Sequence, residues 1–238
     1  MSPIEIEKKG VWVAAFDIGK KNFCWCIEEF DPALLNIPNV KVRYNANGTC
    51  TQGMENILQK IYKNGRVILH KNLDITDGCD PGKKLDPRTF LNMYRVLDEH
   101  IRYWDLCDVI LIEEQMHFGR KVNMMAIKLA QCCFSYFVFK YAEFTQKVVT
   151  EFPAYHKTQV LGAEKAEGKP YKSGKKRYVA VEKKDRKDWA VIEASNILHK
   201  RGEKLGGGGK KKLDDLADTF LMIQAYKYLK YVGREKIG

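Results

Sequence analysis

Two apolar runs, each stopped by an acid, constrain this chain most. VWVAAF (11–16) ends at Asp17, and VILI (109–112) ends at Glu113 and Glu114. A continuous apolar run, rather than an alternating one, suits a strand covered on both faces. If two such strands are parallel neighbours, their terminal carboxylates emerge at the same sheet edge. Gly19 turns the chain after the first run, and FCWCI (23–27) reads as a second strand close behind, so a hairpin is expected.

Helical and strand signals alternate through the rest. Residues 31–48 are rich in Pro and Asn and predict an irregular excursion, followed by a short helix over 54–62 and a strand over 66–70. Asp86-Pro87 supplies an N-cap and a first-turn proline for a helix reaching about Trp104. Its Phe90, Met93, Val96, Leu97, Ile101 and Trp104 keep helical spacing. Residues 123–144 predict a long helix, apolar nearly all round, which calls for cover on more than one side and is a candidate subunit contact. Val148 and Val149 suggest a short strand. Residues 163–178, with Gly168, Pro170 and Gly174, read as a mobile loop, and helices are expected over 179–199 and 213–231, with a glycine tether at 206–209 between them. This order predicts an α/β fold, a mixed central sheet flanked by helices, as one domain over 1–238.

The charge excess is confined. Of a formal net charge of +11, residues 163–187 carry ten Lys/Arg against four Asp/Glu, and residues 200–212 carry six against one, so these tracts supply +6 and +5 and the remainder is neutral. A solvated face scatters both signs, whereas two concentrated tracts read as a footprint for a polyanion, nucleic acid above all. Neither tract lies on a helix with a large apolar face, which argues against a membrane surface. No apolar run spans a bilayer, and MSPIEIEKKG lacks the apolar core of a signal peptide, so an intracellular protein is expected. The seven cysteines form no paired CxxC pattern and read as reduced, buried thiols.

The chemistry resides in carboxylates. Asp17 and one of Glu113 and Glu114 stand at strand ends, and strand alternation lets only one of the glutamates face the site. Asp215 and Asp218 share a helix face three residues apart. Gathered carboxylates raise each other's pKa, and a bridging cation relieves them. Oxygen donors with few His or Cys nearby favour Mg2+ or Mn2+, and two such ions can cleave a phosphodiester. Each acid also has a plain reading: Asp17 as a turn residue, Glu113 or Glu114 as a solvated strand end, Asp214 and Asp215 as helix N-terminal acids. Asp218 is harder to dismiss, because it lies one turn into an otherwise apolar helix.

FDIGKKN (16–22), LIEEQ (111–115), DRK (185–187) and KKLDDLADTF (211–220) together resemble the RuvC-type Holliday junction resolvases, in the variant of poxviruses and other large DNA viruses. The LDD-x-AD block is the most specific element, and residues 31–62 and 163–178 look like insertions. The resemblance implies a ribonuclease H-like fold, a homodimer, and Mg2+-dependent paired nicking of four-way DNA junctions in viral DNA recombination and replication. It also places the chain at the site of viral DNA replication. It implies metal ligands at Asp17, Glu113, Asp215 and Asp218, with Glu113 chosen over Glu114 by the family's Ile-Glu-x-Gln pattern. A functional lysine falls on Lys187, with Lys184 as the fallback. After Gln115 the chain departs from the family's basic pattern, having Met116-His117-Phe118 before Arg120-Lys121.

Three other readings compete. A ribonuclease H-like nuclease acting on RNA–DNA hybrids or flaps would share the fold. An actin-like ATPase or sugar kinase would require a second Asp-x-Gly phosphate loop, and none follows a buried strand. A DNA-binding protein without catalysis would leave the acids dispensable.

Overall fold

The computed structural model describes residues 7–115, 122–142, 145–206 and 213–234. Strands β1 (Val11–Ile18) and β2 (Phe23–Phe30) form the expected hairpin, antiparallel from Val11↔Phe30 to Ile18↔Phe23. Helix α1 (Gln52–Lys63), capped by Thr51, follows the irregular excursion. The next strand, β3 (Arg66–Leu73), runs three residues past its predicted end because it stays paired with β2 down to Phe23↔Leu73.

The predicted helix 86–104 breaks at His100 into α2 (Pro87–Glu99) and α3 (Ile101–Trp104). His100 leaves helical dihedrals while its ring bonds to the Val96 carbonyl at 2.8 Å and meets Trp25 edge-on. Strand β4 (Val109–Glu114) runs parallel to β1, and β5 (Val148–Pro153) parallel to β4, giving the sheet order β3-β2-β1-β4-β5. An antiparallel three-strand half joined through β1 to a parallel half is the mixed sheet of a ribonuclease H-like fold.

Helix α4 (Met124–Phe137), capped by Asn123, is shorter than predicted and opens into a wider π-type turn, Val138–Ala142. It is also more one-sided than its composition suggested. Ala126, Leu129, Ala130, Cys133 and Phe137 are buried, whereas Met124, Lys128, Gln131 and Ser135 are exposed. After α5 (Tyr155–Val160), the expected loop 163–178 and the start of the expected helix are instead a small antiparallel hairpin, β6 (Ala166–Gly168) with β7 (Arg177–Val179). The β-favouring Tyr178 and Val179 take the strand, and the helix, α6 (Lys183–Lys200), begins only at Lys183. The last helix, α7 (Leu213–Lys227), ends in a π-type turn, Tyr228–Gly233. The Met116–Lys121 segment and most of the glycine tether lie outside the described residues.

The sheet separates two cores. Val13, Ala15 and Leu111 pack with α1, α6 and α7, whereas Trp12, Ala14, Phe16, Ile110 and Ile112 pack with α2, α3 and α4. Among the described residues no helix is long and apolar enough to cross a membrane.

Candidate active site

The β1–β4 register decides what meets at the sheet edge. Phe16 pairs with Ile112, so Asp17 and Glu113 follow side by side where two parallel strands end. Alternation then sorts the faces. Asp17 and Glu113 continue the rows of Val13–Ala15 and Val109–Leu111, toward α7, while Glu114 continues the Ile110–Ile112 row toward α4. The structure therefore brings Glu113, not Glu114, to Asp17, and the two share a side-chain hydrogen bond.

Helix α7 brings Asp215 and Asp218 over that edge, seated by contacts beneath its first turns. Cys24, opposite Asp17 in the hairpin, donates its Sγ hydrogen to the Asp215 carbonyl at 3.4 Å and lies 3.7 Å from Thr219 Oγ1. His70 Nε2 sits 2.9 Å from the Leu216 carbonyl, and burial pushes its pKa down to about 4, which keeps the ring neutral.

One member of the cluster was not foreseen. Lys157, on α5, is 5% exposed, and its Nζ lies 2.7 Å from Glu113 Oε1 and 3.1 Å from Asp218 Oδ1. It belongs to neither basic tract, so charge counting passed over it. The signal that could have found it is a lone lysine just past a strand end, without an acid three or four positions away on its helix.

The charges set each other. Burial raises Asp17 well above the usual carboxylate range, and Glu113, Asp218 and Asp215 push the same way against Lys157. Burial would raise Glu113 too, but the Lys157 charge and hydrogen bonds from Lys157 and Asp17 hold it low. Asp218 is raised by burial and by Glu113. Burial would lower Lys157, yet Glu113, Asp218 and Asp17 outweigh it and raise its pKa. Burial and its carboxylate neighbours thus push Asp17 up, while Lys157 draws Glu113 down.

Lys187 stands at the edge of the cluster. It pairs with Asp214 rather than with any of the four predicted ligands, although Asp215 and Asp218 also raise its pKa. Lys184 is exposed, and no ion pair of it occurs among the described residues. The chemistry of the donor set suits a hard divalent cation: four carboxylates gather here, and Glu113, Asp218 and Asp17 crowd the Lys157 ammonium. Among the described residues no three His, Cys, Asp or Glu side chains form a ready-made cation cage, and Lys157 occupies the space between Glu113 and Asp218.

No family model matches the chain. Its structure is similar to Thermus thermophilus RuvC in complex with Holliday junction substrate, at 14% identity, covering 92% of this chain and 96% of that one, with a TM-score of 0.49. It is also similar to fowlpox virus resolvase in complex with substrate Holliday junction DNA, at 17% identity, covering 91% and 97%, with a TM-score of 0.42. In sequence it is 30% identical over 235 residues to Uncharacterized protein 170L of Invertebrate iridescent virus 6, covering 92% of this chain and 89% of that protein. With that identity over nearly the full length of both, and with a ribonuclease H-like fold, the chain belongs to the viral protein family of 170L.

Proposed function

We propose that the chain is a Holliday junction resolvase, a Mg2+-dependent endodeoxyribonuclease that makes paired symmetric nicks in four-way DNA junctions as a homodimer during viral DNA recombination and replication. The observation that carries this reading is the meeting of Asp17, Glu113 and Asp218 around Lys157 at the ends of two parallel strands, with Asp215 alongside. The motif resemblance supplies the branched substrate, and the two basic tracts supply the affinity for a polyanion.

Asp17, Glu113, Asp215 and Asp218 would hold the metal, with Mn2+ able to substitute for Mg2+. When bound, the ion supplies positive charge for the phosphate oxygens and lowers the pKa of an attacking water. The residues of the chain do the rest. The Lys157 ammonium, seated between Glu113 and Asp218, would hold a phosphate oxygen and offset charge that grows in the transition state. Lys187, tethered by Asp214, adds a second cation at the rim. The neutral walls beneath, His70, Thr219 and Cys24, keep the α7 carboxylates at a fixed height over the sheet edge.

The test is cleavage of a synthetic four-way junction, a linear duplex and an RNA–DNA hybrid, each with Mg2+ or EDTA. Symmetric nicking of the junction alone, lost in EDTA and in Asp215→Asn, is expected. Equal cutting of the hybrid would make the protein a hybrid nuclease, and no cutting of any substrate would overturn the nuclease reading.

A further inference from the structure

We infer that the β6–β7 hairpin is a grip for duplex DNA, an arm that holds the phosphate backbone of a helix beside the acidic cluster. The inference takes its partner's identity from the nuclease reading and its geometry from the hairpin itself.

A cluster of four carboxylates around one lysine repels a polyanion, so cations must stand nearby to draw one in. The hairpin is placed for that. It leaves the fold just after α5, which carries Lys157, and returns into α6, whose Lys183 is close enough to Glu113 to lower its pKa and whose Lys187 holds Asp214. Both ends of the arm therefore spring from elements that build the cluster.

Its cations are displayed on a frame rather than strung along a loose run. The strands pair from Ala166↔Val179 to Gly168↔Arg177. The connection closes through Tyr171 N–H to the Lys175 carbonyl at 3.0 Å and Gly174 N–H to the Tyr171 carbonyl at 2.8 Å, with Gly174 at φ 76. The base is pinned where Lys165 N–H donates to the Asn47 carbonyl at 2.8 Å.

Lys165, Lys169, Lys172, Lys175, Lys176 and Arg177 are all exposed. The two acids in the arm are already engaged: Glu164 accepts from Asn47 Nδ2 at 3.0 Å, and Glu167 pairs with Lys176 at 3.4 Å. Among the described residues, Lys165, Lys169, Lys172 and Lys175 pair with no acid. The arm's one aromatic at the turn, Tyr171, has the Arg177 guanidinium 5.8 Å from its ring, and a single engaged ring is a poor platform for stacking unpaired bases. Spaced ammonium groups without a stacking row suit the phosphates of a duplex.

The test uses the full-length protein in EDTA, so that binding is read without cleavage. Affinity for a four-way junction and a linear duplex is measured across salt for the wild type, for Lys165→Gln/Lys169→Gln/Lys172→Gln/Lys175→Gln, and for the matching set of Arg substitutions. Each phosphate contact contributes roughly 0.9 to the slope of log affinity against log salt. The Gln variant should lose about 2 to 4 from that slope and bind more than ~10-fold more weakly at low salt, while the Arg variant stays near the wild type. Unchanged melting of the Gln variant shows that the fold is intact. An unchanged slope in the Gln variant overturns the inference. A wild type that binds with a steep slope lost in the Gln variant, yet cuts nothing in Mg2+, leaves the grip standing and fells the nuclease reading. A wild type that binds no duplex at all fells both.

Discussion

Lys157 and Asp17 sit on opposite sides of one crowd of carboxylates. The lysine draws Glu113 down, while burial and the neighbouring acids push Asp17 up. Asp218→Asn removes one anionic oxygen from this set while keeping its shape. It is expected to lower single-turnover junction cleavage by more than ~100-fold, since loss of outer-shell partners alone costs 10–100-fold, and to leave junction binding in EDTA in place. A second residue sets acid stability. Burial would raise Glu29, but its Oε1 accepts from Lys9 N–H at 2.6 Å, Gly10 N–H at 3.1 Å and Trp12 Nε1 at 2.9 Å, its Oε2 accepts from Arg66 at 2.8 Å, and together these hold its pKa down to about 2. A depressed carboxylate stabilises the fold above its unfolded value of 4.5, and that stability is lost as the pH falls toward 2. Urea unfolding from pH 6 to 2 should show a wild-type loss on the order of 3 kcal/mol over this window, and Glu29→Gln should flatten it.

Between elements, one buried charge network ties four of them. Lys227 of α7 donates to Glu28 Oε1 of β2 at 2.6 Å, and to the Ile61 and Asn64 carbonyls at the end of α1 at 3.0 and 2.7 Å. Gln224 donates to Glu28 Oε2 at 2.6 Å, and Arg201, just past α6, reaches Glu28, Gln224 and the Tyr62 carbonyl. Burial pushes Lys227 down to about 8 against the pull of Glu28, and that residual charge is what caps the open carbonyls of α1. Lys227→Met takes the nearest cation from buried Glu28 and leaves those carbonyls uncapped. It should destabilise the protein by about 3–5 kcal/mol in urea unfolding, with Glu28→Leu added on the same background restoring part of the loss. In the sequence Lys227 is only a cation near a helix end, and nothing local marks a partner in β2. The hairpin at 163–178 escaped for a related reason. Its Gly, Pro and Lys content reads as a loop, and only the pairing of Tyr178 with Glu167 makes it a strand.

For the whole molecule, the proposed symmetric nicking would require two active sites on one junction, and so a chain that assembles in pairs. The side of α4 turned away from the sheet ends at Phe139, which is 88% exposed, with Met124 52% exposed at the other end. Sedimentation equilibrium of the wild type should give a dimer, and Phe139→Asp should shift it toward monomer at the same concentration without lowering the melting temperature. A wild type that stays monomeric, free and on a junction, would remove the basis for paired cuts.

The buried strands 11–16 and 109–112, their terminal acids, the Asp215–Asp218 spacing and the confinement of positive charge all follow from the sequence alone, because each is a matter of local order: apolar runs, helical periodicity, counts of charge. The choice of Glu113 over Glu114 became physical only with the β1–β4 register, which a local pattern does not contain. Lys157 and the Glu28–Lys227 pair became visible only when segments 44 and 199 residues apart were packed together. Burial turns these side chains from solvated charges into partners, and burial is a property of the tertiary fold.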